Sequence, residues 1–197
     1  MKTLNFKRLS ILMFCFLALG CSSEQEQQQV TPYTLPQETF GVYKNTELQL
    51  QYPIAYKVQT KSQIAQSYSN SLELLFESNT PGPTTTSVIV VEKFSMPSST
   101  NLNQVAAAFR KDNSRKLINF SEMPTQNINL VSAGQYTPSM ILNFRGRRTL
   151  VANDLEFYQT FNIKSGKLFV ITAAFDPLDP MNERSMLIES LKTISLF

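Results

Sequence analysis

Histidine is absent from this sequence of 197 residues, and so is tryptophan. Without histidine the chain lacks the commonest general base and the commonest metal ligand, which excludes a Ser-His catalytic pair and histidine-based metal centres. Only two cysteines occur, Cys15 and Cys21, both near the N-terminus. The body of the chain therefore holds no disulfide, no thiol nucleophile and no cysteine zinc site. There is no Gly-x-Ser-x-Gly elbow and no glycine-rich phosphate loop. Serine is plentiful, however, and a serine–lysine pair needs only spatial proximity, so that one catalytic route stays open.

What is present suits one ordinary globular domain: 42% of residues are hydrophobic and 17% charged. The formal net charge is +3, but Lys2, Lys7 and Arg8 all precede residue 21. Without them, 15 of the 18 basic residues remain against 15 acidic ones. A neutral chain gives no electrostatic footprint for nucleic acid, and none is expected as a partner.

Those three cations form a positive n-region, followed by an apolar stretch from Leu9 to Leu19 that is too short to span a bilayer comfortably. Leu17-Ala18-Leu19-Gly20-Cys21 resembles the lipobox of bacterial lipoproteins, in which the cysteine thiol is diacylglycerylated and the chain is cut just before it. Cys15 fits poorly, since Phe14 is too large for the cleavage site. Residues 1–20 are thus expected to be a signal peptide and Cys21 the lipidation site. Each buried CH₂ contributes about 0.8 kcal/mol, so two or three acyl chains hold a protein at a membrane almost permanently. Ser22 follows instead of Asp, and resemblance to enterobacterial sorting then implies the outer membrane, with the domain facing the periplasm. Residues 21–38, with Glu24 to Gln29, Pro32 and Pro36, have nothing to build a core and read as a flexible tether. Extended, it would reach roughly 50 Å.

The domain is expected over residues 39–197. Phe40 to Tyr43 and Leu48 to Tyr52 alternate apolar and polar residues around a Lys44-Asn45 turn, which predicts a hairpin. Short strands are predicted at Tyr56–Val58 and Leu72–Glu77. The Val88-Ile89-Val90-Val91 run within 87–94 predicts an interior strand covered on both faces. Leu102, Val105, Ala106 and Phe109 then recur at helical spacing, predicting a helix to about Leu117 with Asn101 and Gln104 as a capping box. Strands follow at 128–132, 136–144 and 150–164. The last of these turns through Ser165-Gly166 into a strand at 167–175 that is apolar on both faces. A final helix is predicted to start after Asp179 as N-cap and Pro180 at its first position, and to run to about Lys192.

This order of elements, with the Phe40 hairpin, Tyr52-Pro53, the Thr100-Asn101-Leu102 helix start and the closing strand–strand–helix, resembles the PsbP-like family that includes the Mog and DcrB relatives. Tyr56 stands where the family's Tyr-Pro-x-x-Trp pattern has Trp. The resemblance covers residues 39–197. It implies an α/β fold with an antiparallel sheet sandwiched by helices, and a binding or assembly module instead of an enzyme. It transfers no functional residue and no cofactor.

Three clusters are candidates for chemistry. Arg145, Arg147 and Arg148 lie between two predicted strands, where forked guanidiniums on a hairpin tip suit phosphate or carboxylate groups; the bland alternative is a solvated turn whose charges blunt a sheet edge. Arg110, Lys111, Arg115 and Lys116 end the first predicted helix, where they also complement the helix dipole. A face shared by both basic clusters would favour an anionic partner. Asp176, Asp179 and Glu183 have the chemistry for a hard metal or acid–base work, but the prolines and the helix start explain the aspartates without it, and no metal site is expected. The sequence leads to a membrane-anchored, non-catalytic envelope module with an envelope protein partner. The alternative is a carrier or sensor of a lipid or other apolar ligand.

Overall fold

The computed structural model describes residues 33–64, 69–82, 85–97 and 99–197. The expected signal peptide, Cys21 and the tether up to residue 32 lie outside the described residues. Residues 33–38, the end of the expected tether, lie against the domain. Leu35 is buried; its N–H donates to Gln51 Oε1 (2.8 Å), and its carbonyl accepts from Gln51 Nε2 (3.2 Å).

The described residues form ten strands and two helices. The hairpin of β1 (Phe40–Lys44) and β2 (Leu48–Pro53) is closed by Asn45, whose Oδ1 accepts from the N–H groups of Glu47 and Leu48. Next come β3 (Tyr56–Thr60), β4 (Leu72–Ser78) and β5 (Val88–Ser95). Helix α1 (Leu102–Lys116) starts with the expected capping box: Asn101 accepts from the Gln104 N–H, and Gln104 accepts from the Asn101 N–H. Then follow β6 (Ile118–Ser132), β7 (Gln135–Arg147), β8 (Leu155–Lys164) and β9 (Lys167–Phe175). Helix α2 (Met181–Lys192) and β10 (Ser195–Leu196) complete the chain.

All ten strands join one sheet in the order β1-β2-β10-β6-β7-β8-β9-β5-β4-β3. Every adjoining pair is antiparallel except β10 with β6, so the sheet is mixed and not wholly antiparallel as expected. The sheet also curls. Tyr43 and Tyr52, from the β1–β2 edge, bring their rings to 6.0 and 4.8 Å from that of Phe76 on β4, near the opposite edge. Glu47, in the first hairpin, pairs with Lys93 of β5 and Lys167 of β9 across the same gap.

The alternation along β9 shows the two faces. Phe169, Ile171, Ala173 and Phe175 point into the concave core, where Phe76, Ile89 and the α2 residues Leu187 and Leu191 have no exposed surface. Leu168 and Val170 point to the convex face, under Val105 and Ala106 of α1. One helix thus lies on each face, which matches the expected sandwich only in part. The curl of the sheet does most of the covering on the concave side.

Three local expectations are corrected. Strand β6 begins at Ile118, ten residues earlier than expected, because register shifts absorb its strand breakers. Asn119 takes φ 56°, a value asparagine tolerates. Pro124 lies in the second shift, on a stretch of β6 whose other side has no strand partner, since β10 reaches only Val131 and Ser132. Residues 150–154 form the turn before β8 and are not strand. The N-cap of α2 is Pro180 itself, because Asp179 turns inward to accept from the Ser87 hydroxyl and the Asp176 N–H.

Candidate functional site

Among the described residues the convex face is left partly open, and the register explains why. A cross-strand row runs Glu77–Val88–Ala174–Phe157–Phe144, and the next runs Leu75–Val90–Thr172–Gln159. Alternate side chains share a face, so both rows lie on the side of α1. Ala174 and Thr172 are small, which leaves a trough between Val88 and Val90 on one side and the stacked rings of Phe144 and Phe157 (5.1 Å, 11°) on the other. α1 ends at Lys116 and roofs only one flank. The result is two adjoining clefts of about 550 and 570 Å³ that share Val88, Val90, Glu92, Arg148, Phe157 and Ala174. They form one groove with an apolar floor.

This corrects the expectation that the Val88–Val91 run is covered on both faces. Ile89 and Val91 have no exposed surface, whereas Val88 and Val90 are half-buried floor residues. The polar groups of the groove are mostly engaged. Asn113 Nδ2 donates to Gln159 Oε1 (3.3 Å), and Gln159 Nε2 donates to Thr172 Oγ1 (3.0 Å). Ser71 donates to Glu92 (2.7 Å), and Lys116 pairs with Asp112 (2.7 Å). Arg148 is exposed and has no hydrogen-bond or ion-pair partner among the described residues. A guanidinium with its fork free, beside an apolar floor, is a fitting contact for a carboxylate or phosphate on an otherwise apolar ligand.

The three expected arginines do not converge. Arg145 and Arg147 lie in β7, not on the hairpin tip, and the two-residue period of the strand turns them to the other side from Arg148. Arg145 pairs with its cross-strand partner Glu156, which is only 3% exposed and also holds Arg184. Arg147 approaches Asp154 at 3.8 Å. Of the second basic cluster, Arg110 pairs with Glu122 and donates to Thr125, while Lys111 and Arg115 are exposed. One member of each cluster, Lys116 and Arg148, lines the groove.

The acidic trio is spread through a structural network. Asp179 holds Ser87, Asp176 accepts from the Leu178 N–H, and Glu183 accepts from the Tyr56 hydroxyl (3.1 Å). Burial, helped by the Glu183 carboxylate, raises the Tyr56 phenol well above its ordinary pKa, so it serves as a hydrogen-bond donor. Among the described residues no group of three or more His, Cys, Asp or Glu side chains could hold a metal ion. No hydrogen bond there joins a serine hydroxyl to a lysine ammonium. No described helix is long and apolar enough to cross a membrane.

The curled mixed sheet with two helices is similar in fold to PsbP. Over 85% of this chain and 98% of the other, it is similar to cyanobacterial PsbP from Synechocystis sp. PCC 6803, with a TM-score of 0.58 and 12% identity. A Pseudomonas aeruginosa protein of unknown function is similar over 78% of this chain and 94% of its own, with a TM-score of 0.51 and 16% identity. LpqN, involved in cell envelope biogenesis of Mycobacterium tuberculosis, matches over 85% and 99% at a TM-score of 0.46 and 12% identity, too distant in shape to bear on the fold. No family model and no curated protein sequence matches the chain.

Proposed function

We propose that this protein is a lipoprotein of the bacterial envelope, anchored through Cys21 in the outer membrane and facing the periplasm. In this reading it is a non-catalytic binding or assembly-accessory module whose partner segment lies in the convex groove. The observation that carries the reading is the groove itself. Its apolar floor is built by register across β4, β5, β9 and β8, and Arg148 stands free at its rim. The Leu17–Cys21 lipobox supports the anchor, and the lack of histidine and of a thiol in the domain supports a binding role over a catalytic one. An extended segment of an envelope protein with an acidic residue beside apolar ones fits the groove chemically.

A photo-crosslinking amino acid at position 90 in cells tests this. The expected result is a discrete protein adduct that disappears when Ala174→Leu fills the trough. No adduct, or one indifferent to Ala174→Leu, would count against the groove as the partner site. Palmitate labelling that is lost in Cys21→Ser tests the anchor separately.

The size of the groove also favours the second reading, an apolar-ligand carrier, since small-molecule sites begin at roughly 300 Å³. Mass spectrometry of organic extracts from protein purified without detergent should then find a lipid in the native chain and not in Ala174→Leu.

A further inference from the structure

The most exposed large apolar side chains among the described residues are Val151 (95%), Met181 (80%), Leu150 (76%), Leu178 (73%) and Ile54 (62%). All five lie at one end of the sheet. The pairings Tyr56↔Ser78, Glu77↔Val88, Val88↔Ala174, Phe175↔Glu156 and Gly146↔Leu155 place the β2–β3 turn, the β7–β8 turn and the β9–α2 connection at the same end of the strands. Contacts join these loops into one rim. The Asn79 N–H donates to the Ala55 carbonyl (3.0 Å), Ser87 holds Asp179, and Arg184 holds Glu156 (2.6 Å).

Charge at this rim is sorted by depth. Glu156, Asp176 and Asp179 are at most 4% exposed, so three carboxylates are withdrawn from the surface. Of the cations at this end, Lys116 pairs with Asp112 and Arg145 with Glu156, whereas exposed Arg148, two residues before Leu150, has no ion-pair partner among the described residues. The outer layer therefore couples apolar tips to one uncommitted guanidinium, that of Arg148. These tips are carried on separate projecting turns and do not line a depression. A partner protein's pocket would call for one compact knob, whereas a soft planar layer accepts several shallow insertions at once.

We propose that this end of the domain is a docking surface for a bilayer containing anionic lipids, with Leu150 and Val151 inserting at headgroup level and Arg148 meeting lipid phosphates. The proposal concerns orientation and is separable from the anchor, because the described fold lies wholly within residues 33–197. Docking would hold the groove beside the membrane, with its Arg148 rim lowest.

The test uses the acylated full mature chain on vesicles of phosphatidylethanolamine and phosphatidylglycerol. An environment-sensitive fluorophore is placed by Leu178→Cys or, at the opposite end of the sheet, by Tyr136→Cys. Lipid-borne quenchers should quench the probe at 178 and spare the probe at 136. Leu150→Ser with Val151→Ser should reduce quenching at 178, and both sites are exposed enough for the fold to survive. Co-sedimentation of the unacylated chain 22–197 should fall about fivefold with Arg148→Gln, the equivalent of about 1 kcal/mol per basic residue at an anionic surface. Equal quenching at both positions would overturn the proposal. So would a probe at 178 that stays wet on vesicles but is shielded in whole envelopes, which would assign the surface to a protein. Loss of palmitate labelling with docking intact would remove only the anchor.

Discussion

The two faces of the sheet use the same strands in opposite ways. On the concave side the edges curl until Tyr43 and Tyr52 meet Phe76, and α2 adds Leu187 and Leu191. On the convex side α1 covers Leu168 and Val170 of β9 and meets Phe94 of β5, then stops, leaving Val88, Val90 and Ala174 half-covered. One face is committed to stability, while the other keeps apolar surface available. Alternation makes this division residue by residue, so neighbours in one strand have different duties.

The largest effect should come from the closed face. Phe76→Ala removes a ring with no exposed surface and the contact between the sheet edges. It should cost about 3–5 kcal/mol, read by denaturant unfolding. A loss below about 1 kcal/mol would mean that the curl is not held by that contact.

The sharpest comparison lies within β5. Val91→Ala, on the concave side, should cost roughly 2 kcal/mol, and Val90→Ala, one residue earlier and facing the groove, less than about 1 kcal/mol. Crosslinking should report the reverse order, with partner capture sensitive at 90 and not at 91. Equal costs would erase the distinction between the faces.

α1 is the convex face's roof, and its start depends on Asn101. Asn101→Ala should destabilise the fold by about 1 kcal/mol through loss of the capping box. Hydrogen exchange should show the loss concentrated in the first turn of α1, with the concave core unchanged.

The smallest effect is a pH term at the closure. Hydrogen bonds from Lys167 and Lys93 lower the Glu47 pKa, against a weaker opposing effect of burial. A carboxylate lowered in the folded state stabilises fully above the ordinary glutamate range, near 4.3, and that contribution is lost as pH falls through the depressed folded value. Glu47 is about a third exposed, so solvent screening keeps the term below about 1 kcal/mol. Glu47→Gln should flatten the acid limb of stability in that window and lose its effect in high salt.

Much of the fold was legible because its signals are local. The Asn101–Gln104 box, the Ser165-Gly166 turn with φ of 51° and 72°, and the strand at 167–175 all follow from neighbours in sequence. β6 was hidden because Asn119 and Pro124 are strand breakers locally and become tolerable only where a strand has a free side. The candidate site was scarcely legible. Arg145, Arg147 and Arg148 are adjacent in sequence, but pleating sends them to different sides and Glu156 takes Arg145. Nothing near Ala174 or Thr172 in sequence marks them as a trough, since their neighbours Val88, Val90 and Phe157 arrive from other strands.

By itself the sequence determined where both helices and most strands lie, which stretches alternate apolar and polar residues, and that the domain has neither histidine nor cysteine. Capping, turn chemistry and side-chain period act over a few residues, so one chain segment suffices to express them. Only the tertiary structure decided that the sheet curls until its edges meet, that α1 stops short of Ala174, and that Arg148 has no partner among the described residues. Those outcomes depend on strand register and curl, which are set by packing between residues far apart along the chain.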